Sequence, residues 1–416
     1  MKYKARLIQI LFWSVISAAF IGPGTLATAS AAGASYGVQL VWALVFSTLA
    51  CIVLQEMAAR ITIVSGKHIT QILAGRKIMA VIGGSVIIGC AAYEAGNILG
   101  ALSGLKQLIP MADLLGVIIL GILCLLILAL GNVQQVTKSL GTMVAVMGVL
   151  VCLVALQLDF SQWKIQEITP SIPSGSGWIV IGLIGTTIVP YNLFLGSGIS
   201  NGQDLKGMRF GLVISVLFGG IISIAILLVG TEMSGTVSFV KLTEVVGSHL
   251  GAWAGAAMAI GLLVAGFTSS VTAPLAAGVI AKDIFKHQKA YSYGWLSVLA
   301  AGLIFGVLNI KPIPIIILAQ GLNGTVLPLV AVFLVVQANN STLLKGQVNP
   351  WWLNVMAFII IDLVMIIGLS NIMGALGKIS DFTLENNLNK LLILQLLSLP
   401  VLVYTIFKVN KVRTIR

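Results

Sequence analysis

The sequence predicts an all-α integral membrane protein with about 12 transmembrane helices, on three observations. Of its 416 residues, 58% are hydrophobic and only 9% are charged, with a mean hydropathy of +1.07. A soluble domain of this size carries roughly a quarter charged residues, so here lipid must solvate most of the surface. The apolar runs are continuous and about 20 residues long, with no period-two alternation, which selects helices over a barrel. Finally, the basic residues recur on one side of the expected spans.

Twelve spans are expected, with cores at 8–34, 38–59, 78–105, 112–131, 139–158, 178–200, 208–231, 252–281, 293–310, 313–337, 351–370 and 391–407. With the N-terminus inside, only Lys106, Lys164, Lys241, Lys311, Lys378 and Lys390 of the 24 Lys and Arg residues fall in outer segments. The bias places both termini in the cytoplasm of a cell whose plasma membrane holds the chain. It also accounts for the net charge of +12 without a nucleic-acid partner. Lys2, Lys4 and Arg6 run into a span too long for a cleavable signal. Cys51, Cys90, Cys124 and Cys152 lie in apolar runs without metal-type spacing and read as small core residues. No nucleophile–base pair or cofactor motif is present, so neither an enzyme nor a cofactor is expected.

Two spans contain helix-breaking centres: Phe20-Ile21-Gly22-Pro23-Gly24-Thr25-Leu26 and Thr187-Ile188-Val189-Pro190-Tyr191-Asn192-Leu193. Proline removes a backbone donor and clashes with the preceding turn, and glycine loosens the helix further. A shift of 167 positions superposes Ile21 on Ile188, Pro23 on Pro190, Leu26 on Leu193 and Ser30 on Ser197. Five spans separate the two centres, so the second copy enters the membrane from the opposite side. The pattern is that of an inverted repeat of five helices plus five. Residues 1–338 would form this core and 339–416 two additional spans. Matched breaks point to a substrate site at mid-membrane, where freed amides and carbonyls solvate an ion or polar solute. A single proline kink would carry no such implication.

The residues around these breaks resemble the Nramp family, proton-coupled divalent-metal transporters with the LeuT-type fold. In span 2, Leu54-Gln55-Glu56-Met57-Ala58-Ala59-Arg60 and Val64-Ser65-Gly66-Lys67 are similar to the family's Q-x-L-A-A-R-L-G-x-V-T-G. In span 6, Ile184 to Ser197 resembles I-G-A-T-x-M-P-H-N-L-Y-L-H-S, and in span 8, Gly261 to Ser270 resembles G-L-L-A-A-G-Q-S-S. Gln320 and Pro328 keep the family's spacing in span 10. The resemblance implies the LeuT-type fold with helices 1 and 6 broken, and alternating-access transport.

The family's metal ligands are absent. Its D-P-G-N is Gly22-Pro23-Gly24-Thr25 here, its Met is Val189, and its two histidines are Tyr191 and Gly196. Its second Gln of span 10 is Val326. Its Asp in span 3 is Ala91, while Glu94 keeps the Glu. Neutral oxygens alone hold a bare dication poorly. The expected cargo is therefore a small polar or zwitterionic solute facing Gly22, Gly24, Thr25, Val189, Tyr191, Asn192, Gln320 and Asn323, with no resident metal. Glu94 is the expected ion-coupling group, because an intramembrane carboxylate is costly, and the coupling ion would be H⁺ or Na⁺. Ser269, Ser270 and Thr272 offer hydroxyls for a sodium-like ion or simply bond their own helix. Glu56 and Arg60, one turn apart, read as an inner-gate pair. Asp362 reads as a packing contact, and His68, His249 and His287 as loop residues without a role. Two rival functions stand beside the solute reading. One is a divalent-cation transporter for Mn, Fe or partly hydrated Mg. The other is a non-transporting receptor, against which the nine residues after Phe407 argue.

Overall fold

The computed structural model describes residues 6, 9–10, 12–13, 21–73, 77–131, 133–233, 235–308, 310–380 and 388–414. All regular structure among them is helical. The first repeat supplies α1 (Pro23–Tyr36), α2 (Val41–Ser65), the short α3 (Ile69–Leu73), α4 (Lys77–Leu108), α5 (Asp113–Leu130) and α6 (Val133–Ala155). The second supplies α7 (Gly177–Thr187), α8 (Pro190–Ile199), α9 (Leu205–Gly230), α10 (Phe239–Leu250), α11 (Ala252–Phe285), α12 (Gln288–Val307) and α13 (Pro312–Gln337). Two further helices follow, α14 (Trp351–Ser380) and α15 (Leu388–Thr414).

Ten of the described helices, counting α7 and α8 as one interrupted span, are long and apolar enough to cross a membrane. The other two expected spans are α6 and the segment ending in α1. Residues 14–20 of that segment, Phe20 included, lie outside the described residues. Among the described residues, every expected core coincides with a helix or a helix pair. The chain is thus a multi-pass membrane protein. A feature the spans did not foretell is α10, a 12-residue helix in the loop after α9. Ser238 caps it by accepting a hydrogen bond from the Lys241 amide at 3.2 Å.

Both interruptions begin new helices at equivalent repeat positions. Pro23 opens α1 and Pro190 opens α8, each at the first helical position, where a missing N–H costs nothing. The preceding residues, Gly22 and Val189, are extended. From these points the two half-helices run to opposite ends of the molecule. Ala31 and Ser35 of α1 line a cavity of about 770 Å³ with the first turns of α7 and α13. At the other end, the Ser197 hydroxyl of α8 bonds Thr62 of α2 at 2.6 Å and accepts from the Ile69 amide at 3.0 Å.

Small residues set the close helix approaches that lipid-embedded packing requires. A Cβ built on Gly33 of α1 would run into the Leu227 carbonyl of α9, and one on Gly230 would lie 2.5 Å from the Ser30 carbonyl. Gly104 and Gly266 do the same between α4 and α11, which pack on each other more extensively than any other pair. The outer faces of α5 and α15 expose Leu114, Leu115, Ile118, Ile122, Leu392 and Leu396, as a lipid-facing surface should. Asp362 takes hydrogen bonds from Ser398 at 2.6 Å and Gln395 at 3.1 Å, which fastens α14 to α15. His287 caps α12, accepting from the Lys289 amide at 3.0 Å, and the His249 ring meets the Val245 carbonyl at 2.9 Å.

Candidate functional site

The two breaks meet in the interior. Thr25 Oγ1 and Thr186 Oγ1 lie 2.9 Å apart, joining the first turn of α1 to the last turn of α7. A Cβ on Gly24 would overlap the Gln320 side-chain nitrogen of α13, so that amide rests directly on the α1 backbone. A Cβ on Gly22 would sit 3.4 Å from Ser269 Oγ and 3.8 Å from the Tyr93 hydroxyl. Tyr191, the second residue of α8, stands edge-on to Tyr93 with ring centroids 5.4 Å apart. Gln55 of α2 donates to the Asn192 carbonyl at 3.0 Å. Asn323 reaches the opposite wall, where a Cβ on Gly89 of α4 would lie 2.5 Å from its Oδ1.

Thr25, Val189, Tyr191, Asn192, Gln320 and Asn323 are all at most 1% exposed. Two polar atoms of this group, Gln320 Oε1 and Asn323 Nδ2, are nevertheless left without hydrogen bonds, as is Oε1 of Glu94 on α4. An unsatisfied buried polar atom costs roughly 1–3 kcal/mol, and native proteins keep few of them. The two on α13 lie one helical turn apart.

The electrostatics of the breaks come from backbone, not side chains. Neither α1 nor α8 has a side-chain cap or an acidic residue in its first turn. Two positive helix ends therefore point inward without an acidic side chain, the carbonyl end of α7 lying beside that of α1. The last turn of α7 closes on itself through Ile188 N to the Ile184 carbonyl at 2.9 Å and Thr187 Oγ1 to the Leu183 carbonyl at 3.0 Å. Among the described residues no cluster of three or more His, Cys, Asp or Glu could hold a metal ion.

Glu94 sits behind Tyr93 on α4 and is fully buried. Asn97 donates to it at 3.4 Å, and the Ser270 hydroxyl of α11 faces it without a close hydrogen bond. Its methylene packs on Gly302 of α12, where a Cβ would approach Cγ to 2.5 Å. The sodium-type reading of the α11 hydroxyls finds mixed geometry. Thr272 bonds its own helix at the Ser269 carbonyl, 3.3 Å away, whereas Ser270 Oγ makes no close bond.

Glu56 and Arg60 are brought together at the far end of α2, Nε to Oε1 3.0 Å, and both are buried. A third member escaped sequence reasoning. Arg209 of α9 reaches the same Oε1 at 2.8 Å from 153 positions away, and no local spacing could signal it. Arg60 also donates to the Gln347 carbonyl at 2.7 Å and to the Asn349 side chain. Asn349, Asn339 and Asn354 form a chain of side-chain bonds that ends at Arg413 of α15, whose Nη1 meets Asn339 Oδ1 at 2.9 Å. Thr186, Tyr93 and Gly89 were likewise missed.

Comparison with known proteins agrees with this geometry. The family model described as "Natural resistance-associated macrophage protein-like" matches residues 14–374. The divalent metal cation transporter MntH of Klebsiella pneumoniae (strain 342) is 24% identical over 401 residues, covering 90% of this chain and 95% of that protein. The structure of the Eremococcus coleocola manganese transporter in complex with an aromatic bis-isothiourea substituted compound superposes with a TM-score of 0.73. It is 20% identical and covers 99% of this chain and 96% of that one. Mhp1, a nucleobase-cation-symport-1 family transporter, superposes with a TM-score of 0.59 at 14% identity, covering 97% and 95%. With a family match across most of its length and a common fold, this chain belongs to the Nramp family of membrane transporters.

Proposed function

We propose that this transporter carries a small polar or zwitterionic organic solute by alternating access, through the site between the two breaks. The observation that carries this reading is the pair of uncapped helix N-termini at Gly22 and Val189, with no side-chain charge in either break. A positive helix end attracts a carboxylate and repels a dication. The family's Asp at position 22 would neutralise the α1 end and ligate metal. Glycine leaves the end positive and opens space. Gly22, Gly24, Thr25, Val189, Tyr191, Asn192, Gln320 and Asn323 would enclose the solute, with Thr186 and Tyr93 added from their positions in the structure.

In this reading the Arg60 end faces the cytoplasm of a plasma-membrane protein, and the cavity opens outward. Glu56, Arg60 and Arg209 hold the inner gate shut. Glu94 carries the coupling charge, with a proton as the coupling ion, since the carboxyl has a hydroxyl and an amide beside it but no cluster of anionic oxygens. The experiment is uptake into proteoliposomes with amino acids, other small zwitterions, Mn²⁺ and Mg²⁺ tested side by side. Saturable uptake of an organic solute, unchanged by chelator, is the expected result. Uptake of Mn²⁺ alone would refute it.

A second reading, divalent-cation transport, is favoured by the MntH relatives, which match nearly full length. Its ligands would be carbonyl and amide oxygens around a partly hydrated ion, the arrangement best tolerated by Mg²⁺.

A further inference from the structure

We infer that Gln320 and Asn323, one helical turn apart on α13, form a donor–acceptor reader that selects a guest carrying an N–H group beside a carbonyl or carboxylate. The inference rests on the organic-solute reading and narrows it to amino acids and primary amides. Two glycines fix the two amides in opposite senses. Gly24 lets the Gln320 nitrogen lie against the α1 backbone, so Oε1 is turned away from it and is left buried without a partner. Gly89 lets Asn323 Oδ1 lie against α4, so Nδ2 is the atom turned away, and it too is buried without a partner. Both side chains are 1% exposed. One unsatisfied acceptor and one unsatisfied donor thus lie buried on adjacent turns of one helix.

A guest completes both only if it donates to Gln320 Oε1 and accepts from Asn323 Nδ2. An α-amino acid does so with its ammonium and carboxylate, and a primary amide with its N–H and carbonyl. A dication satisfies Gln320 but confronts the Asn323 N–H with a like-signed partner. A site built to bond a polar group strongly rejects the analogue that lacks it, because its own buried groups are then stranded.

The test uses the full-length purified protein and ligand-induced thermal stabilisation. The probes are the twenty proteinogenic amino acids and their primary amides. Each hit is followed by its deaminated and decarboxylated analogues, with Mn²⁺ run in parallel. Near-isosteric substitutions separate hydrogen bonding from shape. Asn323→Val removes the donor and Asn323→Thr restores one. Gln320→Met removes the acceptor and Gln320→Glu restores one. We expect at least one zwitterion or amide to stabilise the wild type and both single-function analogues to bind about tenfold more weakly or worse. Val and Met variants should show the same loss, and Thr and Glu variants should recover most of it. Since all four variants are compared by their own unliganded melting, an unfolded variant is recognised and its partner substitution decides. Equal affinity of a zwitterion for the wild type, Asn323→Val and Gln320→Met would overturn the reader while leaving the organic-solute reading standing. Stabilisation by Mn²⁺ and by no organic probe would overturn both.

Discussion

The hydroxyls of Thr25 and Thr186 lie 2.9 Å apart and tie the start of one interrupted helix to the end of the other. In the sequence these residues are 161 positions apart and belong to different repeats. The bond is buried and brings the positive end of α1 beside the carbonyl end of α7. Replacing either threonine with valine keeps the volume and removes this bond, at a cost of about 1 kcal/mol. The double replacement should cost less than the sum of the two single ones. Thermal unfolding of the three variants in a double-mutant cycle measures this coupling, and strict additivity would show that the two hydroxyls act independently.

Gly24→Ala and Gly33→Ala should fail in different ways. At Gly24 the new methyl meets the end of the flexible Gln320 side chain, which moves aside. At Gly33 it meets the Leu227 carbonyl, part of the rigid α9 backbone. The first variant should fold with near-normal yield but lose at least tenfold in substrate affinity. The second should lose more than about 2 kcal/mol of stability, in the manner of an overpacked core. Yield, melting temperature and uptake measured together separate the two.

Removing the Glu94 charge should uncouple the transporter without unfolding it. Gln is isosteric and keeps a partner for Asn97, so Glu94→Gln should retain the wild-type stability within about 1 kcal/mol. Under the proton-coupling proposal, wild-type uptake rises with an inward-directed proton gradient. Uptake by the variant should not respond to that gradient. A variant that still concentrates substrate when the outside is acidified would remove Glu94 from the coupling role.

The ion pairs at Glu56 make a quantitative contrast. Arg60 is 2% exposed, so Glu56→Ala leaves a buried guanidinium uncompensated, which costs about 3–5 kcal/mol. Arg209 is 53% exposed, so Arg209→Ala removes a screened contact worth about 1 kcal/mol or less. Chemical denaturation should rank the two variants in that order. Glu56→Gln, which can still accept from Arg60, should fall between them.

Arg413 links the last helix to the Glu56–Arg60 pair through Asn339 and Asn349, bonding Asn339 Oδ1 at 2.9 Å and the Asn349 carbonyl at 2.8 Å. Arg413→Ala should loosen the segment between α13 and α14 and raise the accessibility of that end. A cysteine introduced at Ser65 should react several-fold faster with a membrane-impermeant thiol reagent in the Arg413→Ala background. No change in rate would mean that α15 does not reach the gate.

The sequence alone determined the solvent, the span boundaries and the positions of both breaks. These follow from local quantities: hydropathy over about 20 residues, the missing N–H of Pro23 and Pro190, and a repeat offset that survives in a handful of residues. The loss of every family metal ligand was legible in the same way, by reading positions 22, 25, 189, 191 and 326 in place. The sequence also marked Glu56 and Arg60, because a helix puts residues four apart on one face. Only the tertiary structure decided which side chains meet across helices. Arg209 joined Glu56, Thr186 joined Thr25, and Gly24 and Gly89 set the two amides of α13, because such contacts depend on how helices dock, which no spacing along the chain encodes. The same holds for the orphaned atoms of Gln320 and Asn323. Whether a polar atom is satisfied is a property of everything that surrounds it, and that surrounding exists only once the chain has folded.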